Sequence, residues 1–372
     1  MSQVQVIDEL SLPGRLGDPN RILRTDPRAD PRLVAVLARF GMDGAQPPSP
    51  VAKDSPMRAK LDYVAASESA MQGILTSLVA DSSPIPNIER RTETISGQDG
   101  NDITLYIHRP QNAGGPLACV YHTHGGGMVM LTAADAVFRR WRDELAKAGL
   151  VVVGVEFRNG GGKLGNHPFP AGLNDCMAGL HWTFDNKDKL SISRIILSGE
   201  SGGGNLALAT CLRAKREGRL NQIAGVYALC PYIYGAWEQP SKELVSLVEN
   251  DGYLIDVRTT PIMAAAYDPE RKHVANPLAW PYRATVEELR GLPPHVISVN
   301  ELDPLRDEGL VYHRRLRAAG VPGYSRTVNG AIHAAEVLFS GVIREVSDAT
   351  IRDIKGFADS PWPSEAAEPK SE

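Results

Sequence analysis

The sequence has few cysteines, no long apolar run and no excess of positive charge. Its 372 residues include 40 Lys and Arg against 44 Asp and Glu, a formal net charge of −4, which argues against nucleic acid or an anionic membrane surface as a partner. The four cysteines lie far apart and form no CxxC pair, which is typical of buried thiols rather than of a disulfide framework or a zinc site. They are Cys119, Cys176, Cys211 and Cys230.

The absence of long apolar runs excludes a membrane-spanning segment. The longest run, from Leu150 to Val155, is far too short to cross a bilayer. The first residues, MSQVQVIDELSLPG, carry early acidic residues and lack the apolar segment of a signal peptide, so we expect a cytoplasmic protein. The hydrophobic share of 42% and the charged share of 23% are ordinary for a globular chain. This length predicts one large domain with additions, or two domains.

Strand and helix patterns alternate through most of the chain. Apolar segments at 88–96 and 103–108 flank the turn signal at 98–101 and predict a hairpin. The continuous apolar run at 117–123 suits a parallel strand that is covered on both faces. Further strands are expected at 150–157, 194–198, 223–229, 295–300 and 324–328. The alternation predicts an α/β fold whose mainly parallel central sheet is flanked by helices and opened by an antiparallel pair.

Composition divides the chain into parts. Residues 1–85 are broken by prolines and charges but contain two amphipathic helical patterns, and we expect them to form an N-terminal helical cap or lid. Residues 86–360 carry the strand–helix alternation of the main domain. Within this domain, 232–290 has no clear strand and predicts an insertion that folds over the core and can contribute to the cap. The tail 361–372 has the composition of a disordered segment.

The strongest local signal is the pentapeptide Gly199–Gly203, a G-x-S-x-G between a predicted strand and a predicted helix. In this context a tight turn holds the serine in a strained backbone conformation above the sheet, and the flanking glycines avoid Cβ clashes. Ser201 is therefore a candidate nucleophile. The same glycines, taken as Gly202–Ala207, fit the dinucleotide pattern G-x-G-x-x-A, but the next strand does not end in the acidic residue that holds a ribose. A phosphate-binding loop is disfavoured because no Gly-Lys-Ser/Thr follows.

A second glycine cluster, His124–Gly127, follows an earlier strand. Serine acyl transfer needs fixed N–H donors for the oxyanion, and a backbone without side chains lets a carbonyl group approach closely. The alternative interpretation is an ordinary flexible turn. His122 and His124 are two residues apart on a strand and could face one metal ion, but the sequence offers no further ligand nearby, so a metal site is not expected.

Acidic candidates for a catalytic role follow the strand 295–300. An acid at the carboxyl end of such a strand points into the crevice where α/β proteins bind ligands. Asp307 and Glu308 lie in the first turn of the next helix, where the helix dipole favours a carboxylate, whereas Asp303 is better placed on the loop, with helix capping as its alternative role. His333 follows the last predicted strand, which gives the order Ser, Asp, His of α/β-hydrolases. The histidines interpreted as surface or capping residues are His108, His181, His273 and His313.

Together these motifs resemble the hormone-sensitive-lipase-like esterases, an α/β-hydrolase family with an HGGG oxyanion motif. The family's elbow is usually Gly-Asp-Ser-Ala-Gly-Gly, and Gly199–Gly204 carries Glu and Gly at the second and fourth positions. The family's Asp-Pro-Leu-Arg-Asp-Glu occurs unchanged at 303–308. A His-Pro-Phe-Pro-Ala segment at 167–171 follows a strand that ends in Arg158, as in the family. The resemblance spans roughly residues 85–360.

The resemblance implies site residues as well as a fold. It implies Ser201 as the nucleophile, His333 as the base and Asp303 as the acid that orients the base, while His124 holds its glycine loop by hydrogen bonds. The implied oxyanion donors are the backbone N–H groups of Gly126, Gly127 and Gly202. No metal or organic cofactor is required. Two alanines follow His333 where Gly-Phe is common in the family, which predicts a more open pocket wall.

The implied activity is hydrolysis of a small-molecule carboxylic ester or lactone through an acyl-enzyme. Similarity to one macrolactone hydrolase of the family extends to 18–20, 25–28, 246–253 and 279–282, which favours a bulky substrate. The alternatives are amide or peptide hydrolysis on the same triad, and a non-catalytic ligand-binding protein of the same fold. The latter is disfavoured because all three triad residues are present. The oligomeric state stays open.

The N-terminal segment carries two apolar stripes at helical spacing. They are predicted to close over Ser201 as a lid that excludes water and shapes the pocket. The alternative is that they only cover exposed surface of the main domain. The stripes consist of Leu33, Val34, Val36 and Leu37, and of Leu61, Tyr63, Met71 and Leu75.

Overall fold

An eight-stranded sheet forms the centre of residues 12–360, which are the part of the chain that this computed structural model describes. The strands are β1 Ile88–Ser96, β2 Asp102–Pro110, β3 Leu117–Thr123, β4 Val151–Val155, β5 Ile192–Glu200, β6 Gly225–Leu229, β7 His295–Asn300 and β8 Gly323–Val328. Their order in the sheet is β1-β2-β4-β3-β5-β6-β7-β8. β2 pairs antiparallel with β1 and β4, and all other neighbours are parallel. The predicted α/β fold is confirmed.

Helices connect and cover the strands. The α-helices are α1 Gly14–Gly17, α2 Pro31–Ala38, α3 Met57–Val79, α4 Ala136–Lys147, α5 Ala171–Asp185, α6 Gly202–Arg216, α7 Ser246–Glu249, α8 Thr260–Tyr267, α9 Val286–Leu289, α10 Arg306–Ala318, α11 Ala335–Leu338 and α12 Arg344–Asp359. Short 3-10 turns occur at Leu23–Thr25, Leu220–Gln222, Pro269–Arg271 and Pro281–Arg283. None of the helices between residues 12 and 360 combines the length and the apolar character needed to cross a membrane.

Side chains from the two faces of the sheet enter two separate apolar clusters. Along β3, Cys119 and Tyr121 join the cluster on the face covered by α5 and α6, whereas Val120 joins the cluster on the face covered by α4 and α12. Every residue of β4 is buried, as expected for a parallel strand that is covered on both sides. The hydrophobic effect on both faces therefore explains the unbroken apolar runs in the sequence.

The N-terminal helices lie at different places on the main domain. In α2, Leu33 and Leu37 are buried in a cluster that also contains Ile332, next to the predicted base. Asp30 caps α2 by accepting a hydrogen bond from the backbone N–H of Arg32. The division into a cap, a main domain and a tail stays a prediction, and the predicted tail 361–372 lies outside the described residues. The predicted insertion, 232–290, contains α7, α8 and α9 and no strand.

Glu308 anchors the beginning of this insertion. Its Oε2 accepts hydrogen bonds from the backbone N–H groups of Ile233 and Tyr234 at 2.9 and 2.8 Å, and its Oε1 accepts one from Nε1 of Trp237 at 2.6 Å. The side chain is fully buried, and this burial raises the pKa of Glu308 to about 8. The sequence predicts only a favourable helix-dipole position for Glu308, and the structure adds a fixed contact between α10 and the chain that leaves β6.

We expect Glu308→Ala to lower the free energy of unfolding by about 3 to 5 kcal/mol, because three buried N–H donors lose their acceptor. The measurement is urea unfolding at pH 7. The matched control is Glu287→Ala, whose side chain is 82% exposed and should change stability by no more than about 0.5 kcal/mol. Equal effects of the two variants would contradict the anchoring role.

Candidate active site

Ser201 occupies a sharp turn between β5 and α6. Its backbone has φ 56° and ψ −121°, and such a positive φ is strained for a residue with a side chain. Two backbone hydrogen bonds hold the turn. The N–H of Ser201 donates to the carbonyl of Leu229 at 2.9 Å, and the carbonyl of Ser201 accepts from the N–H of Tyr232 at 3.0 Å. The predicted strand–turn–helix context is therefore present, and the start of α6 directly follows the serine.

The glycines that flank Ser201 permit close packing of the turn against β3. A Cβ atom on Gly203 would lie 2.0 Å from the carbonyl oxygen of Thr123, and one on Gly199 would lie 2.4 Å from the Thr123 hydroxyl. That hydroxyl donates a 2.7 Å hydrogen bond to the carbonyl of Gly203. Side chains at either glycine would push the turn away from β3, so the motif needs glycine at both positions.

The predicted oxyanion loop, residues 124–127, leaves the sheet beside this turn, because Thr123 and Gly199 are paired in neighbouring parallel strands. A Cβ atom on Gly202 would lie 2.6 Å from the backbone nitrogen of Gly127. Gly126 and Gly127 have φ values of 111° and 62°, which favour glycine. The structure thus brings the backbone of all three predicted oxyanion donors close to Ser201.

Glu200 supports the oxyanion loop, a role that the sequence motifs do not predict. Its Oε1 accepts a hydrogen bond from the backbone N–H of Gly125 at 2.7 Å, and its Oε2 lies 3.0 Å from Nε2 of His122. Both side chains are buried. The sequence signal for this role is the acidic residue directly before the candidate nucleophile. An acid at that position is buried, and a buried carboxylate requires hydrogen-bond donors.

His124 holds its own loop. Its Nδ1 lies 2.7 Å from the carbonyl oxygen of Gly125, and its ring stacks on Phe157 with centroids 4.3 Å apart. Burial lowers the pKa of His124 to about 4, so the ring is neutral at pH 7 and Nδ1 donates to the carbonyl. This contact agrees with the role that the resemblance implies for His124.

Asp303 and His333 form a buried hydrogen-bonded pair. Nδ1 of His333 lies 2.8 Å from Oδ2 of Asp303, and the other carboxylate oxygen accepts from the N–H of Leu305 at 2.8 Å. A carboxylate can only accept, so Nδ1 of His333 carries a proton, and in the neutral ring Nε2 is then the acceptor. The loop before His333 is fixed by Asn300, whose Nδ2 donates to the carbonyl of Ile332 at 2.6 Å.

The other two acidic candidates point elsewhere. Asp307 accepts a hydrogen bond from the N–H of Ser246 at 2.7 Å and pairs with Arg306 at 3.0 Å. Glu308 binds the segment that follows β6. The structure therefore brings Asp303 to His333 and uses both other acids to hold the insertion.

Two of the histidines expected at the surface, His108 and His313, are buried. The sequence predicts a surface or capping role for His108, but the residue is buried, and its Nδ1 lies 2.8 Å from Oδ1 of Asp143. His313 is also buried. These predictions are wrong because both residues lie on partly buried elements, β2 and α10, where a histidine can turn its ring inward.

Within residues 12–360, one group of side chains is close enough to hold a metal ion, and it includes the Asp–His pair. The ligand atoms of Cys230, Asp303 and His333 lie within 4.8 Å of one another. Both oxygens of Asp303 already accept hydrogen bonds, and burial raises the pKa of Cys230 far above its usual value, which disfavours the thiolate that would bind a metal. The arrangement fits an acid–base pair better than a metal site.

A cavity of about 430 Å³ opens onto Ser201 and His333. Its walls include the oxyanion loop, the N-terminal segment and the insertion, together with Phe138, Leu305, Ala334 and Leu338. The N-terminal wall consists of 46–50 and of Tyr63, Ser67, Met71 and Leu75. The insertion contributes Leu254, Ile255, Asp256, Thr259, Thr260 and Met263. The size suits a small organic molecule.

Comparisons with known proteins agree with this geometry. A family model described as alpha/beta hydrolase fold matches residues 120–337. Esterase LipI from Mycobacterium tuberculosis is 32% identical over 250 residues, which are 66% of this chain and 73% of the relative. An arylesterase from Saccharolobus solfataricus is 33% identical over 220 residues, which are 58% of this chain and 67% of the relative.

Solved structures extend the similarity to nearly the whole chain. Brefeldin A esterase, described as a bacterial homologue of human hormone-sensitive lipase, has a TM-score of 0.90 at 46% identity and covers 94% of this chain and 98% of its own. Esterase Est22 has a TM-score of 0.81 at 39% identity and covers 91% and 99%. The resemblance to hormone-sensitive-lipase-like esterases that the motifs predict is confirmed.

The two aspartates of the 303–308 motif offer a matched test. We expect Asp303→Asn to lower kcat by about 10⁴-fold, because an amide in that position no longer holds the required tautomer of His333. Asp307→Asn should leave kcat within about twofold and cost at most about 1 kcal/mol of stability. The measurement is p-nitrophenyl acetate hydrolysis. Loss of activity in Asp307→Asn with an active Asp303→Asn would reverse the assignment.

Proposed function

This chain belongs to the α/β-hydrolase fold family and is a carboxylic ester hydrolase, and we propose that it is a serine esterase that works through an acyl-enzyme on Ser201. The observation that carries the proposal is the 2.8 Å contact between His333 and Asp303 beside a cavity that also contains Ser201. A strained serine at the start of a helix and a histidine held by a buried carboxylate are the parts that this chemistry needs.

In the proposed reaction, Nε2 of His333 takes the proton of the Ser201 hydroxyl while Oγ of Ser201 attacks the ester carbonyl carbon. Asp303 keeps the proton on Nδ1 and stabilises the imidazolium that forms. The imidazolium then gives its proton to the leaving alkoxide as the C–O bond breaks. In the second half, His333 takes a proton from water as the water oxygen attacks the acyl carbonyl carbon. The bond between that carbon and Oγ of Ser201 then breaks, the imidazolium returns the proton to Oγ, and the carboxylic acid leaves. No step needs a cofactor.

The negative charge that develops on the carbonyl oxygen is proposed to be bound by the backbone N–H groups of Gly126, Gly127 and Gly202. The close approach of Gly202 to the nitrogen of Gly127 supports this assignment. Fixed donors of this kind act mainly in the transition state, where the charge is largest, and so they raise kcat more than they lower KM.

We expect Ser201→Ala to lower kcat for p-nitrophenyl acetate by about 10⁶-fold, because the nucleophile is lost, while the thermal transition is unchanged within a few degrees. Intact-protein mass spectrometry with a phosphonate ester inhibitor should show one covalent adduct on the wild type and none on the variant. A variant that keeps a tenth of the activity would exclude Ser201 as the nucleophile.

The proposed substrate is a bulky ester or lactone, with brefeldin-A-like macrolactones as the first class to test. Support comes from the cavity, which is walled by the N-terminal segment and the insertion, and from the match to brefeldin A esterase over 94% of this chain. The stripe on α3 contributes three residues to this wall, whereas the stripe on α2 packs against the loop before His333. The lid function is therefore proposed for 46–79.

Two serines on α3 allow a matched test of the pocket. Ser67 lines the cavity, whereas Ser69 is exposed on the same helix. We expect Ser67→Trp to lower kcat/KM for brefeldin A and for p-nitrophenyl decanoate by about tenfold or more, because the indole fills space that only large substrates use. Hydrolysis of p-nitrophenyl acetate should change by less than about threefold, and Ser69→Trp should affect neither substrate.

If Ser67→Trp leaves the ratio of large-ester to acetate hydrolysis unchanged, α3 does not line the substrate pocket. An assay with brefeldin A distinguishes the proposed substrate class from the proposed serine esterase mechanism. An enzyme that hydrolyses decanoate esters but not the macrolactone would contradict the macrolactone class and leave the serine mechanism standing.

A further inference from the structure

Helix α3 presents two parallel rows of side chains to the rest of the protein. Tyr63, Ser67, Met71 and Leu75 follow one another at intervals of four residues and line the cavity. Lys60, Val64 and Glu68 form the neighbouring row at the same interval and are buried. Residues four apart lie on one face of a helix, so the second row faces the main domain. Glu68 is the acidic member of this buried row.

Glu68 binds two loops at once. Its Oε1 accepts a hydrogen bond from the backbone N–H of Leu131 at 2.7 Å, and its Oε2 accepts one from the N–H of Lys163 at 2.6 Å. The residue is only 3% exposed. A Cβ atom on Gly162 would lie 2.6 Å from the carboxylate, so the second loop is pressed against it. Two charge-assisted hydrogen bonds to backbone N–H groups offset the cost of burying the charge.

The first of these loops continues directly from the oxyanion glycines and is strained. Met128 and Leu131 have φ values of 61° and 70°, a left-handed conformation that is uncommon for residues with large side chains. The carbonyl of Leu131 accepts a hydrogen bond from Nδ2 of Asn159 at 2.7 Å. Both backbone polar groups of Leu131 are therefore held by side chains, one from α3 and one from the loop after β4.

The position of Leu131 is transmitted to Gly126 through a short turn. The backbone N–H groups of Val129 and Met130 both donate to the carbonyl of Gly126 at 3.1 Å. A Cβ atom on Gly126 would lie 2.1 Å from the carbonyl oxygen of Met130, so the two ends of the turn are in direct contact. A shift of Leu131 would therefore move the peptide groups whose N–H groups are the proposed oxyanion donors.

We propose that Glu68 is a positioning residue of the esterase, which fixes the oxyanion loop through Leu131. The position of α3 on the main domain is thereby coupled to stabilisation of the transition state. This inference rests on the proposed function of the glycine loop. Glu68 itself touches no reacting atom. Its effect is on the alignment of donors, and misaligned donors cost rate rather than substrate binding.

The test is Glu68→Gln in the full chain. The amide has nearly the shape of the carboxylate, but only one of its two ends can accept, so one loop is released. We expect kcat for p-nitrophenyl acetate to fall by about 10- to 100-fold while KM changes by less than about threefold. The affinity for a trifluoromethyl ketone, which forms an oxyanion on the serine, should fall by the same factor as kcat.

The matched control is Asp62→Asn, which changes an exposed carboxylate on the same helix and should leave kcat and inhibitor affinity unchanged. A Glu68→Gln protein that has a lower melting temperature but wild-type kcat per titrated active site would overturn the proposal, because Glu68 would then only hold the helix in place. Equal losses in Asp62→Asn would overturn it as well.

A second variant approaches Leu131 from the other side. Asn159→Ala removes the hydrogen bond to the carbonyl of Leu131 without changing α3, and it should produce the same loss of kcat and of inhibitor affinity at nearly constant KM. Wild-type kcat in Asn159→Ala would overturn the proposal even where Glu68→Gln does not fold. Ser201→Ala, assayed in parallel, distinguishes failure of the proposed function from failure of the proposal for Glu68. Activity in Ser201→Ala would contradict the proposed function and not the role of Glu68.

Discussion

The parallel pairing of β3 with β5 is the constraint on which the site depends. Thr123 lies opposite Gly199, so the segments that follow β3 and β5 leave the sheet next to each other, at the same edge. The glycine loop after β3 and the serine turn after β5 then meet without any long connection. A slip of one residue would turn the side chains of one strand to the opposite face and would separate the loop from Ser201. The glycines at 199 and 203 are the local condition for this contact.

Buried or half-buried carboxylates fix the loops that this pairing brings together. Glu200 binds the N–H of Gly125, Glu68 binds that of Leu131, and Glu156 binds that of Ala133 at 2.7 Å. Each acid comes from a different part of the chain and accepts a hydrogen bond from a backbone N–H group in the stretch 125–133. Hydrogen bonds to an ionised acceptor are stronger than neutral ones, so a loop held in this way resists displacement. Such rigidity is what preorganised donors require.

Much of this structure could be predicted because its signals are local. The hairpin, the parallel strands and the Gly-Glu-Ser turn each follow from short patterns, and the choice of Asp303 over Asp307 follows from its place on a loop. Glu68 could not be predicted, since a single acid within an amphipathic helix is usually exposed. Its burial depends on two loops that are distant in sequence. The burial of His108 could not be predicted for the same reason, because its partner Asp143 lies on another element.

The N-terminal segment contacts both halves of the proposed machinery. Helix α2 packs against the loop before His333, where the N–H of Asp30 donates to the carbonyl of Gly330 at 3.0 Å, and α3 holds the glycine loop through Glu68. Moving the whole segment would therefore disturb the proposed base and the proposed oxyanion donors together. Residues 44–56, between the two helices, contain no buried residue and include cavity-lining prolines. Segments with few buried contacts open at the lowest cost in free energy, so opening of this stretch would expose the cavity and leave both halves of the proposed site intact.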